Sequence, residues 1–315
     1  MNKYFFYDSG TLNGYFLSNT RLELNKLHKD VENNPLFKED FFSDPPRKWE
    51  VRYDNAYPNL IYDPKYKVYR CYYTCFTYDS SSAGTPLEKR METRYQPMSS
   101  RITSLCYAES VDGIHFTKPD LGLVEFEGST KNNILMRYAH GTGVFLDEAE
   151  LDQNKRYKLM TKVEYNGSRH YMAVAFSEDG IHFSKPLEWP QYNPAADSHN
   201  AVLRDPKTGK FLLFTRIWKN GVRICARSES SDFINWSEPV EVLRGTGFAN
   251  QVYSMVVFPY EGLYLGLASV YHSGDTEAED FDTVDVELKY STRSDAWESV
   301  APGGHLIERG AGPYP

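Results

Sequence analysis

Four carboxylates stand where bond-breaking chemistry would use them. Asp54 lies in Arg52-Tyr53-Asp54-Asn55 and Asp197 in Asp197-Ser198-His199-Asn200, with Glu164 and Glu287 in two other segments. Two carboxyls flanking an acetal, one protonated and one ionised, are the minimum apparatus for cleaving a glycosidic bond. Their surroundings must differ enough to separate their pKa values. Asp54 fits the base or nucleophile, because Arg52 beside it favours the ionised form. Asp197 fits the orientation of substrate hydroxyls or stabilisation of the transition state. The acid needs a raised pKa. Glu287 is one candidate, since the equivalent repeat positions hold Cys106, Ala173 and Ala226; Glu164 competes with it. Arg52, Asn55, His140, His199 and Gln251 supply polar contacts for hydroxyls. Arg101, Arg169 and Arg223 suit hydroxyls or an anionic group, and Trp218 suits stacking on a sugar face. Each also has an ordinary reading as solvated surface, so the elements that position them decide the matter.

A short pattern recurs along the chain: Ser, five residues, then Phe or Trp. It occurs as Ser110 to Phe116, Ser177 to Phe183, Ser230 to Trp236 and Ser291 to Trp297, at spacings of 67, 53 and 61 residues. The first two copies share Asp-Gly, at Asp112-Gly113 and Asp179-Gly180. Each copy follows a strand-like run, and before it two further apolar runs are joined by turn residues such as Asp63-Pro64 and Asp205-Pro206. Four antiparallel strands repeated every 50–65 residues describe a propeller blade. Four units are predicted, at about 55–127, 143–192, 200–243 and 250–308. The expected fold is all-β: one five-bladed β-propeller domain over 1–315, with strand from 1–48 (chiefly 20–36) completing the ring. Residues 310–315 stop where a fifth inner strand would begin, so a shortened chain and a four-blade ring are the other readings.

In a blade, the inner strand lines the central channel. The links into these strands supply residues 52–55, 140–142, 197–200 and 250–251, and the second-to-third-strand loops supply residues 78–101, 164–170, 218–223 and 272–285. All of these fall on one face. Asp205, within Arg204-Asp205-Pro206, falls on the opposite face and is read as structural. The Asp-Gly turns lack the Ser-x-Asp-x-Gly-x-x-Trp spacing of sialidase boxes. The acidic loop 275–285 has no EF-hand spacing and is read as solvated, with a structural Ca²⁺ as its other reading. No cofactor or catalytic metal is expected.

The composition narrows the partners. A net charge of −8 disfavours nucleic acid and anionic membranes. Aromatic residues make up 15% of the chain, which favours strands and also suits sugar binding. No apolar run reaches membrane-spanning length. The first residues carry no leader-like segment, which points to a cytoplasmic protein unless a leader has been removed. The four cysteines form no CxxC pair and are expected as buried thiols.

The repeat, followed by Lys118-Pro119-Asp120-Leu121-Gly122 and Lys131-Asn132-Asn133-Ile134, resembles glycosidases of the five-bladed superfamily that includes glycoside hydrolase families 32, 43, 62 and 68. The likeness runs from Trp49 onward. It implies three acidic residues about the axis: Asp54 matches the first by position, Asp197 the second, and the Glu acid has no assured match. The Trp-x-Asn-Asp-Pro-Asn motif of family 32 is absent, with Tyr53-Asp54-Asn55 in its place. The implied substrate is an oligosaccharide or other glycoside. A glycoside phosphorylase of related fold and a non-catalytic sugar-binding propeller are the rival readings.

Overall fold

The computed structural model describes residues 24–25, 27–53, 55–90, 92–93, 95–96, 101–165, 169–189, 196–307 and 309. Asp54, the first-choice base, lies outside them. The described residues form a β-propeller of four blades, each a four-stranded antiparallel sheet. Blade one holds β1 (Asn59–Asp63), β2 (Val68–Phe76), β3 (Thr103–Ser110) and β4 (Ile134–Arg137). Blade two holds β5 (Ala139–Leu146), β6 (Tyr157–Tyr165), β7 (Arg169–Ser177) and β8 (Leu187–Glu188). Blade three holds β9 (Ala201–Arg204), β10 (Phe211–Lys219), β11 (Val222–Ser230) and β12 (Val240–Arg244). Blade four holds β13 (Asn250–Tyr260), β14 (Leu263–His272), β15 (Val284–Ser291) and β16 (Glu298–Ser299). No helix among the described residues is long and apolar enough to cross a membrane.

The strand period of two places alternate side chains in different inter-blade cores. From β2, Tyr72 joins Leu105, Tyr107, Val144, Tyr157 and Leu159 between blades one and two. Its neighbours Cys71, Tyr73 and Cys75 face the other way, where Phe37, Trp49 and Tyr53 cover them. Met160, Met172, Trp189, Phe211, Phe233 and Trp236 fill the gap between blades two and three. Leu203, Phe214, Val252, Met255 and Tyr264 fill the next.

The repeated Ser motif is a turn lock. Ser110 Oγ accepts from the Gly113 N–H at 2.9 Å, and Asp112 Oδ1 accepts from the backbone N–H groups of Ile114 (2.9 Å) and His115 (2.8 Å). Ser177 with Asp179 and Ser230 with Asp232 repeat the arrangement. In the fourth copy Arg293 replaces the Asp, and Ser291 Oγ alone accepts from the Ser294 N–H at 2.8 Å. The fourth residue of every copy is left-handed: Gly113 at φ 80°, Gly180 at 77°, Phe233 at 65° and Ser294 at 67°. Gly180 also touches blade one, where an added Cβ would sit 2.5 Å from Tyr72 Oη.

A second repeated device joins the blades. The Asp63 carboxylate, wholly buried, accepts Arg156 Nη1 at 2.8 Å and Nη2 at 2.6 Å, and the Tyr157 hydroxyl also donates to it. Asp147 takes Arg204 (2.9 and 2.6 Å) and Lys158 (2.9 Å). Asp205 takes the Tyr264 hydroxyl at 2.5 Å, which agrees with its structural reading. Burial alone would raise the Asp63 carboxyl, but Arg156 and Tyr157 outweigh it and hold it well below the usual range.

Four of the five expected blades are present among the described residues, and they are the four units read from the sequence, with one boundary corrected. Blade one does not close by 127: its outer strand β4 begins at Ile134, because residues 114–133 loop out, meeting β3 at the Glu109–Thr117 bridge and again where Asn133 bonds the Tyr107 backbone. The strand expected within 1–48 lies partly outside the described residues, and 24–25 and 27–48 carry none. The Asp30 carboxylate folds this stretch into a turn by accepting from the Glu32 N–H (3.2 Å) and Asn33 N–H (3.3 Å). Residues 37–50 form a strap on blade one, held by Lys118, whose Nζ meets Glu50 at 2.6 Å, Asp40 at 2.8 Å and the Lys38 carbonyl at 2.7 Å. Trp49 Nε1 donates to Asn133 Oδ1 at 2.7 Å.

Breaking a buried ion pair by removing one partner leaves an uncompensated charge. Asp63→Asn is expected to lower unfolding free energy by about 3 kcal/mol, read from urea denaturation at pH 7. An unchanged midpoint would mean the clasp carries no stability. The clasp's contribution is present above about pH 4 and is lost as pH falls through the depressed folded-state pKa.

Candidate functional site

Inner-strand starts and second-to-third-strand loops gather a polar cluster at one mouth of the channel. His140 lies inside β5 and Glu164 near the end of β6. His140 Nδ1 hydrogen-bonds Glu164 Oε2 at 3.1 Å. Lys162 Nζ lies 2.6 Å from Glu164 Oε1 and 3.9 Å from Asp197 Oδ2. Asp197 Oδ1 is in turn paired with Arg216 of β10. One ammonium therefore sits between carboxylates of two blades, whose nearest oxygens are at most 6.5 Å apart from those two distances.

Glycine makes the approach between blades two and three. Asn200 N donates to the Gly141 carbonyl at 2.9 Å and Asn200 Nδ2 to the same oxygen at 2.8 Å. A Cβ on Gly141 (φ 62°) would lie 2.0 Å from the Ser198 carbonyl oxygen, and one on Gly143 1.8 Å from that of Asn200. The loop bearing Asp197 can lie against β5 only because these two positions have no side chain.

The electrostatics follow from the cluster. Burial pushes the Glu164 carboxyl up, but the His140 hydrogen bond and Lys162 outweigh it and pull it down to about 2. Burial lowers His140, with Glu164 only partly opposing. A neutral His140 donating from Nδ1 to the carboxylate leaves Nε2 as an acceptor, buried and without a hydrogen-bond partner. His199 is pushed down to about 4 by burial, and its Nε2 faces Asn59 Oδ1 at 3.2 Å.

Aromatic rings floor the site. The Tyr57 ring lies 6.2 Å from that of His140 and 5.9 Å from that of His199, and its hydroxyl is 3.4 Å from the Tyr253 hydroxyl of blade four. Tyr57 has φ 44° and Asn55 φ 53°, rare for non-glycine residues and, at Tyr57, further disfavoured before Pro58. Strain of this kind persists only where surrounding contacts over-determine it.

The other expected residues divide. Arg52 is buried beneath the mouth, its guanidinium 3.7 Å from the Tyr95 ring centre. Arg101 caps Phe76 at 4.3 Å and donates to the Tyr95 hydroxyl at 3.0 Å. Trp218 is half exposed and stacks with Arg223 at 4.5 Å, and Gln251 Oε1 accepts from Arg223 Nη1 at 3.1 Å. Arg169 is not brought in: it pairs with Glu188 of the outer strand β8 at 2.5 Å and is largely exposed. Glu287 is not brought in either. It meets Lys289 at 2.6 Å and Ser299 of outer strand β16 at 3.4 Å. Its anomaly in the repeat is a local ion pair. The acidic loop is less solvated than expected at its end: Asp285 is buried and gripped by His272 (2.6 Å), His305 (3.2 Å) and Arg309 (3.0 Å). Among the described residues no group of three or more His, Cys, Asp or Glu could hold a metal ion. Two cavities of about 680 and 800 Å³ flank the strap, lined in part by Phe37, Lys118, Val51 and Phe126, and neither contains Glu164 or Asp197.

Lys162, Arg216, Tyr57 and Tyr253 were not singled out from sequence. The available signal was a charged residue on a strand otherwise rich in buried apolar positions, as in Tyr157–Tyr165. A neutral His199 makes a direct check: its imidazole resonance should titrate near pH 4 by NMR, and a midpoint near 6.5 would place it in water instead.

No protein-family model matches the chain, and no curated protein matches it. Solved structures do. An α-L-arabinofuranosidase from Podospora anserina, in complex with cellotriose, aligns with a TM-score of 0.52 at 14% identity over 80% of this chain and 71% of that one. A thermostable family-43 glycoside hydrolase aligns with a TM-score of 0.51 at 14% identity over 81% and 74%. A further structure described as a glycoside hydrolase gives 0.51 at 11% identity over 79% and 74%. The chain therefore shares the propeller fold on which these glycoside hydrolases are built.

Proposed function

We propose that this protein is a glycoside hydrolase acting on a carbohydrate at the mouth of the propeller channel. The observation that carries the reading is the convergence of Glu164 and Asp197, from different blades, on Lys162. Their nearest carboxylate oxygens are at most 6.5 Å apart, so both can reach one bound sugar ring. Trp218 offers an exposed ring for a sugar face.

In this reading Asp54 activates the attacking water or attacks the anomeric carbon itself, and Asp197 stabilises the positive charge that develops there. Glu164 protonates the departing glycosidic oxygen. The unliganded cluster holds Glu164 ionised, so substrate must draw Lys162 away and dry the site before the carboxyl gains its proton. His140 orients Glu164 throughout. A fifth blade beside blade four belongs to the same reading. Both ends of the described chain meet at the outer edge of blade four, Leu27 N with the Leu306 carbonyl at 3.1 Å and Leu306 N with the Val286 carbonyl of β15 at 2.8 Å.

A reducing-sugar screen over aryl glycosides and oligosaccharides tests this. Asp54→Ala and Asp197→Ala should each cost about a hundredfold or more in kcat. Glu164→Gln should cost as much on poor leaving groups and far less on dinitrophenyl glycosides, which depart without protonation. Full activity in all three variants would sink the assignment. An equal Glu164→Gln loss on both leaving groups would remove Glu164 as the acid.

A further inference from the structure

We propose that Arg216 and Arg223 form an oxyanion subsite beside the carboxylates, so that the channel takes an anionic group, either a carboxylate carried on the sugar or free phosphate. The proposal rests on the reading of the same mouth as a saccharide site.

The pair is built by a hairpin. Trp218 lies opposite Arg223, and Arg216 opposite Cys225, in the β10–β11 register. Arg216, Trp218 and Arg223 therefore share one face of the sheet. That face meets Tyr253 and Tyr271 of blade four. The Arg223 guanidinium lies 4.5 Å from the Trp218 ring centre, 4.6 Å from Tyr271 and 5.7 Å from Tyr253. Arg216 lies 4.9 Å from Tyr253 and 5.5 Å from Trp218.

The two guanidinium groups are unevenly partnered. Arg216 is 95% buried and has one carboxylate partner, Asp197, which Lys162 shares. Arg223 forms no ion pair among the described residues. Its hydrogen bonds are to a neutral amide oxygen, Gln251 Oε1, at 3.0 Å from its backbone N–H and 3.1 Å from Nη1. Asp282, the nearby acid, attracts the Arg223 charge without a direct ion pair among the described residues, and accepts from the Tyr271 hydroxyl at 2.9 Å. The Nε–H groups of both arginines are buried without a hydrogen-bond partner. Burial, then the like charge of Arg216, lower the Arg223 pKa.

A guanidinium is planar, permanently charged and fitted to two oxygens of one anion. Two of them held close enough to repel, each with an Nε–H left unbonded, gain from a bound oxyanion. The Trp218 and tyrosine walls fit the C–H face of a pyranose or furanose ring. A sugar seated there would place its charged substituent against the guanidinium pair and its glycosidic bond towards Asp197 and Glu164. Of the other arginines expected to meet an anion, Arg169 pairs with Glu188, and Arg101 caps Phe76 and donates to the Tyr95 hydroxyl.

Calorimetric titration of the wild-type chain with D-glucuronate, D-galacturonate, inorganic phosphate, and neutral glucose and galactose tests this without relying on turnover. A uronate binding at least tenfold tighter than its neutral counterpart, with that margin lost in Arg223→Gln, supports the subsite and places the anion on the sugar. Phosphate binding lost in Arg223→Gln, with no preference for uronates, supports it with phosphate as the source. Arg216→Met, which also frees Asp197, should lose the same preference, with circular dichroism confirming the fold. Neutral sugars binding as well as uronates, with phosphate silent, would overturn the subsite and leave the glycosidase reading standing. Cleavage absent from the screen above together with silence from every probe here would overturn both.

Discussion

An aspartate ending an inner strand cannot stay buried alone, and in this propeller it reaches for the next blade. Asp63 takes Arg156 and Tyr157, Asp147 takes Arg204, and Asp205 takes Tyr264. Each bond fixes the angle between successive sheets at the face away from the mouth. The same strands begin at the mouth, so that angle also sets how closely their polar first residues approach. Where Phe211 stands in place of the tyrosines, Lys158 is added to the carboxylate's partners. The device tolerates a change of donor and keeps the charge satisfied.

At the mouth the same rule acts on function. Glu164, Lys162, Asp197 and Arg216 form a chain of alternating charge, with the neutral His140 hydrogen-bonded to its first member. No member could be buried there singly at reasonable cost. Gly141 and Gly143 make the chain continuous by letting the Asp197 loop touch the neighbouring inner strand. Carboxylates held this way are ordered in the unliganded protein and are kept ionised by their partners.

The blades were legible because their turns repeat. Ser110, Ser177, Ser230 and Ser291 each lock a turn that needs a left-handed fourth residue, and that need survives in sequence as Gly113 and Gly180. The face on which polar residues gather followed from the same count. What was hidden depended on partners far along the chain. Lys162 read as one charge on a strand, and only the fold shows it between Glu164 and Asp197. Glu287 stood out in the repeat alignment, yet Lys289 two residues on explains it. Lys118 and Asn133, which carried the resemblance, hold the strap that covers blade one.

That strap sets a boundary condition on the channel wall. The chain is pinned at Glu50 by Lys118 and Tyr73, and again at Asn59, whose side chain grips Thr142 and Val144 of blade two. Only eight residues span the two anchors, and Tyr57 is among them. A short span clamped at both ends transmits displacement and does not absorb it. Loosening the Lys118 anchor would therefore register first as a shift of Tyr57 against His140 and His199, with the sheets themselves left intact.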